Sequence, residues 1–143
     1  MRKFIFTLVA VFAFASCELE TSDNGHLDGF WQMRAVDTLS TGGSADTRES
    51  GIFWSVQMRL LEVVDTKGRS DKVFFRFEHT GDSLFLSQPY IDNRDSGDIK
   101  VTDAELLRPY GIFSLEPHFC VRELNGGRMV LESDSLRMYF RKY

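Results

Sequence analysis

The groups able to do chemistry are few: two thiols, Cys17 and Cys120, three imidazoles, His26, His79 and His118, and scattered carboxylates and hydroxyls. His118 and Cys120 stand two apart in an alternating segment, so their side chains share one face of a strand. A zinc site needs three or four converging ligands at supporting spacing. No third ligand accompanies that pair, and no metal is expected. His26 falls in a polar N-terminal stretch and His79 at a turn. No serine lies in a Gly-x-Ser-x-Gly elbow. Asp92, Asp95 and Asp98 recur at every third position, whereas an EF-hand loop draws its ligands from alternate residues; they read as a solvated loop. Gly42-Gly43 precedes no helix, so no phosphate-binding loop is present. The residue set calls for no cofactor, and the chain reads as non-catalytic.

Cys17 differs because of what precedes it. Arg2 and Lys3 give a positive start, residues 4–15 are apolar except Thr7, and Phe14-Ala15-Ser16 lead into the cysteine. This is the charged, apolar, small-residue order of a secretory signal. The apolar run is too short for a membrane-spanning helix, which needs roughly 20 residues. Phe14-Ala15-Ser16-Cys17 resembles the lipobox of bacterial lipoproteins. That resemblance implies removal of residues 1–16 and transfer of a diacylglycerol to the Cys17 sulfur; an ordinary signal cut elsewhere, leaving a free thiol, is the alternative. Two or more acyl chains hold a protein stably to a membrane. Residues 17–26 are polar and acidic and read as a tether. Their acidic start resembles the surface-export signal of Bacteroidetes lipoproteins. The expected location is the outer membrane, facing the periplasm or the cell surface.

Of 143 residues, loss of the leader leaves one domain with room for one core. The formal charge is −4, and removing Arg2 and Lys3 takes it to near −6. The charges are interspersed with no basic stripe, so nucleic acid and anionic lipid headgroups are both poor partners. Cys120 alone cannot form an intrachain disulfide, and stability must come from packing.

Residues 27–143 alternate at period two between turn residues. The expected strands are 30–37, 52–64 with a bulge at Leu60-Leu61, 73–79, 83–88, 119–124, 129–133 and 136–142. Polar loops are expected at 39–50 and 91–100, and a turn at 65–71. A tight turn at Gly81-Asp82 would pair Phe77 with Leu86 and His79 with Leu84. Asn125-Gly126-Gly127 would set Val121 across from Leu131. A turn at Asp134-Ser135 would pair Leu131 with Met138, Met129 with Phe140, and Glu132 with Arg137 outside. Thr102-Asp103-Ala104-Glu105 has the form of a capping box, predicting one short mid-chain helix over 103–108 ended by Pro109 and Gly111. An antiparallel up-and-down β-barrel removes the sheet edges; a two-sheet sandwich is the competing arrangement.

Gly29-Phe30-Trp31 resembles the Gly-x-Trp motif that opens lipocalin barrels, and 136–142 resembles the basic end of the last lipocalin strand. With the lipobox, the whole looks like the lipocalin-like lipoproteins of Bacteroidetes, over residues 27–143. The resemblance implies an all-β lipocalin-like barrel in which Trp31 is buried beside Arg137 or Arg141; Trp31 and Arg141 are taken as the closing pair. The candidate lining of an interior site is Met33, Val56, Met58, Phe75, Phe77, Met129 and Met138, entered beneath the 39–50 loop. Two roles compete: a holder of a small apolar molecule, or an interaction module for an envelope protein using outer-face Phe74, Phe85 and Tyr139. Inner faces of small barrels are often simply filled, so a packed interior and a cavity both stand open.

Overall fold

The computed structural model describes residues 24–93, 95 and 97–143. The leader, Cys17 and the tether to residue 23 lie outside the described residues.

Among the described residues, ten strands form one antiparallel sheet: β1 Gly29–Thr38, β2 Gly43–Asp46, β3 Ile52–Gln57, β4 Leu60–Asp65, β5 Val73–Thr80, β6 Ser83–Ile91, β7 Ile99–Lys100, β8 His118–Leu124, β9 Arg128–Glu132 and β10 Leu136–Lys142. Their order is β10-β9-β8-β6-β5-β4-β3-β1, and β1 also pairs with β10, which closes a ring of eight; β2 rests on β1 and β7 on β6. Closure runs from Trp31 opposite Lys142 to Thr38 opposite Leu136. The expected barrel is therefore the fold. The expected registers are present too: Phe77–Leu86 and His79–Leu84, Val121–Leu131, and Leu131–Met138, Met129–Phe140 and Glu132–Arg137.

Three expectations change. The single strand over 52–64 is a hairpin, β3 and β4, joined at Met58-Arg59. Inward parity shifts from Trp54 and Val56 to Leu61 and Val63, which a bulge and a two-residue turn both produce. No Gly or Asn marks this turn, and Met58 itself takes the positive φ (55°) that such a turn demands. The two polar loops each contain a short strand, β2 and β7. The mid-chain helix is a 3₁₀ helix, Ala104–Tyr110, capped by Asp103 rather than Thr102, with Pro109 inside it. The Asp103 carboxylate accepts from the Glu105 N–H at 3.0 Å.

The barrel has two distinct ends. The turn end carries the Met58-Arg59, Gly81-Asp82 and Asn125-Gly126-Gly127 turns, together with Asn24 and Tyr143. A 3₁₀ turn, Gly25–Leu27, buries Leu27 there, so the expected tether gives way to structure before residue 26. The loop end is plugged by the 3₁₀ helix and the residues after it: Leu107, Tyr110 and Ile112 are fully buried. The Tyr110 hydroxyl donates to the Asp71 carbonyl. Gly111 takes φ +78°, and a Cβ there would run into the Met138 Sδ, so the position favours glycine on both counts.

Candidate functional site

The interior at mid-height is occupied by aromatic rings. Trp54 on β3 and Phe119 on β8 stand on opposite walls, four strands apart either way round the ring. Their ring centroids are nevertheless only 5.6 Å apart, and Phe140 approaches Trp54 at 5.1 Å. Met33, Val56, Phe75, Met129 and Met138, expected as a ligand lining, belong to this one packed cluster. Met58 does not. It sits at the tip of the β3–β4 turn, 72% exposed, because the hairpin carries it out past the rim. Phe77 does face inward but is half-buried near the turn end.

Trp31 is fully buried at the turn end, and its indole N–H donates to the Leu27 carbonyl at 2.8 Å. The cation over its ring is Lys142, with Nζ 4.9 Å from the centroid. Arg141 is the wrong partner: it pairs with Gln32 and points outward. Arg137 binds Glu132 on the outer wall instead. Met138, Phe140 and Lys142 share the inner face at period two, so the Lys was within reach of the alternation. The Lys142 Nζ also donates to the His26 carbonyl at 3.1 Å. Gly29 explains the other half of the Gly-x-Trp pattern: a Cβ there would lie 2.8 Å from Lys142 Cε. The glycine leaves room for the cation to reach the tryptophan.

Trp54 is also fully buried, yet its Nε1–H has no hydrogen-bond partner. An enclosed donor without an acceptor costs about 1–3 kcal/mol. It is the one apolar-core group that a bound acceptor would satisfy among the described residues.

A larger groove of about 840 Å³ lies on the outer side of the β3–β4 turn, along Ser55, Gln57, Met58 and Leu60, but the groove that inward-facing side chains reach lies at the turn end. Beside the Leu27 plug, inward-facing Phe77 and Val121, Leu124 remain only partly buried, and His79 joins them on β5 opposite buried Leu84. An open groove of about 420 Å³ runs along Phe77 and His79, edged by Asn24, Met58, Arg59, Arg76 and Glu78. Sequence reasoning placed His79 at a turn and missed this use of it. Its inward parity with Phe77 was the available signal.

The remaining candidates do not converge. His118 stacks on Phe85 (4.5 Å between centroids) on the outer wall, with Nε2 3.2 Å from the Ser83 hydroxyl. Cys120 is half-buried opposite Ser83 and Glu132. No cluster of three or more His, Cys, Asp or Glu suited to a metal occurs among the described residues. Phe74 stacks on Tyr90 at 6.3 Å, and the Tyr139 hydroxyl donates to Asp37 at 2.9 Å. On the same outer wall Glu132 accepts from both Arg122 and Arg137, and these hydrogen bonds hold its carboxyl below the usual range. Arg48 likewise holds exposed Asp46 down to about 2. Burial, with Asp65 and Asp71 adding negative charge nearby, pushes the Tyr110 phenol well up, so it stays a neutral donor.

A model of the lipocalin-like domain family matches residues 11–143. No curated protein matches the chain. Among solved structures, a lipocalin-like protein from Bacteroides uniformis ATCC 8492 is 20% identical with a TM-score of 0.63, covering 83% of this chain and 100% of that one. An uncharacterized protein from Bacteroides eggerthii DSM 20697 is 18% identical with a TM-score of 0.57, covering 81% and 98% respectively.

Proposed function

This chain belongs to the lipocalin-like domain family, and from that membership we propose that it is a lipid-anchored envelope lipoprotein that takes a small hydrophobic molecule at the turn end of its barrel. Lipocalin-like domains commonly hold small hydrophobic ligands and are generally not catalytic. The observation that carries the site is the groove along Phe77 and His79. It is the place where inward-facing Phe77 and His79 meet solvent, with Met58 at the edge among polar and charged side chains that can orient a ligand's polar end. Entry beneath the 39–50 loop is disfavoured by the buried Leu107, Tyr110 and Ile112 plug. The anchor is the diacylglycerol that the lipobox resemblance assigns to Cys17, and the compartment is the outer membrane of a Bacteroidetes-type cell, on the periplasmic or outer side.

Displacement of a fluorescent fatty acid tests the ligand reading, with Phe77→Asp beside the parent protein. Loss of binding in the variant, with its circular dichroism unchanged, supports the site. Absence of probe binding by the parent protein overturns it. The second reading, a non-catalytic interaction module of an envelope assembly, has the exposed Phe85–His118 stack in its favour. Cross-linking from position 85 in whole cells distinguishes it.

A further inference from the structure

We infer that the turn end of the barrel docks on the bilayer surface, with Met58 and Leu60 dipping into the acyl boundary and Arg59 between them at the headgroups. The inference rests on the reading of Cys17 as a lipid anchor. Asn24 begins the described chain at the turn end, and Cys17 precedes it by seven residues. Seven residues span at most about 25 Å, so an anchored Cys17 keeps this end, not the loop end, close to the membrane. The Asn24 side-chain amide donates to the Met58 carbonyl at 2.6 Å, which ties the β3–β4 turn to the tethered side of the rim.

The turn's composition has no explanation inside the fold. A two-residue hairpin with positive φ at its first position asks for glycine or asparagine. Met58 takes that conformation instead and stands 72% exposed, with Leu60 47% exposed two residues on. An apolar-cation-apolar tip suits an interface: the apolar chains enter the acyl boundary and the guanidinium reaches the phosphates. On the same rim Arg141 is exposed, Arg128 is paired with Glu123, and Asp28, Glu78 and Asp82 are further acids. Two apolar side chains bind a membrane weakly by themselves. Tethering makes the contact intramolecular at a high effective concentration, so weak contacts suffice.

The test uses the full chain, processed in a lipoprotein-competent bacterium and reconstituted in phosphatidylethanolamine–phosphatidylglycerol vesicles. With Cys120→Ser, a nitrobenzoxadiazole label is placed by Met58→Cys or, at the loop end, by Ser135→Cys. Spin-labelled lipids should quench the position-58 label several-fold more than the position-135 label and blue-shift its emission. Adding Leu60→Asp should return the label toward water. Mass spectrometry of the N-terminal peptide reports on the anchor separately. An unmodified Cys17 overturns the anchor and the docking with it. A lipidated Cys17 with both labels equally in water overturns the docking alone. Shielding of position 58 only in native envelope membranes, and not in pure lipid, assigns the face to a protein and overturns it as well.

Discussion

Trp31 and Trp54 lie directly opposite one another on β1 and β3, both fully buried, yet only one indole N–H is satisfied. Trp31 donates to Leu27 and carries Lys142 on its face; Trp54 donates to nothing. The pair separates two contributions that burial alone would make equal. Trp31 joins the first strand, the last strand and the N-terminal plug, whereas Trp54 fills the barrel's middle by shape alone.

Trp31→Phe should therefore cost more than Trp54→Phe. The first loses a hydrogen bond of about 1 kcal/mol and strands the Leu27 carbonyl, and it weakens a cation–π contact of about 0.5–1 kcal/mol. The second removes an unsatisfied donor, which offsets part of its lost packing. Urea denaturation should rank the variants parent, Trp54→Phe, Trp31→Phe, with Trp31→Ala lowest at about 3–5 kcal/mol below the parent. Equal losses for the two phenylalanine variants would refute the distinction.

Gly111 should be the least replaceable glycine of the loop end. Gly111→Ala meets both a positive φ and the Met138 sulfur, and should destabilise by about 2–3 kcal/mol. Met138→Val in the same chain removes the clash and leaves the backbone cost. The double variant should therefore fall short of the sum of the two single losses in a double-mutant cycle. Strict additivity would place the sulfur elsewhere.

The fold was legible because adjacent hairpins agreed: Phe77–Leu86 and Val121–Leu131 put apolar pairs on one face, and Met129–Phe140 extended the same face. The β3–β4 turn was hidden because its turn residue is a methionine. Reading Met58 as an inward residue followed directly from extending Trp54 and Val56 by one more step. The site was less legible for a different reason. Alternation says which side chains face inward, but not where along the barrel a plug such as Leu27 or Tyr110 covers them. Phe77 and Phe75 have the same parity, and only the ends of the barrel decide that one is half-buried and the other sealed.

Met58→Gly should stabilise the isolated domain fold. Non-glycine residues at positive φ carry strain of about 1–3 kcal/mol, and Met58 buries almost nothing in return. Allowing for glycine's greater entropy loss, a gain of about 0.5–1 kcal/mol is expected. A thermal melt at fixed pH reads it. A lower melting temperature would show that the Met58 side chain packs in solution.

Asp65 should make stability fall in acid. Burial pushes its carboxyl up, but the Lys67 N–H and the Arg69 guanidinium and N–H outweigh burial and hold it below its ordinary value. A folded pKa below the unfolded one means stability that is fully present above the unfolded value, about 3.9, and is lost as pH falls through the folded one. Asp65→Asn should be less stable at neutral pH and lose less between neutral pH and acid. Parallel acid titrations of parent and variant would contradict this.

The ligand reading makes a prediction about which end of the barrel admits the molecule. Phe77→Asp puts a charge into the turn-end groove, where its desolvation opposes an apolar ligand, and should abolish displacement of a fluorescent fatty acid. Leu39→Asp puts the same charge on an exposed position of the loop end and should leave the titration unchanged, because buried Leu107, Tyr110 and Ile112 seal that end beneath it. Both positions are at least partly solvent-accessible, so circular dichroism should show two folded proteins. Loss of uptake with Leu39→Asp and retention with Phe77→Asp would move the entrance to the loop end. It would also require the 3₁₀ helix to swing away from Asp71 and Met138, opening a path to the unsatisfied Trp54 N–H from above.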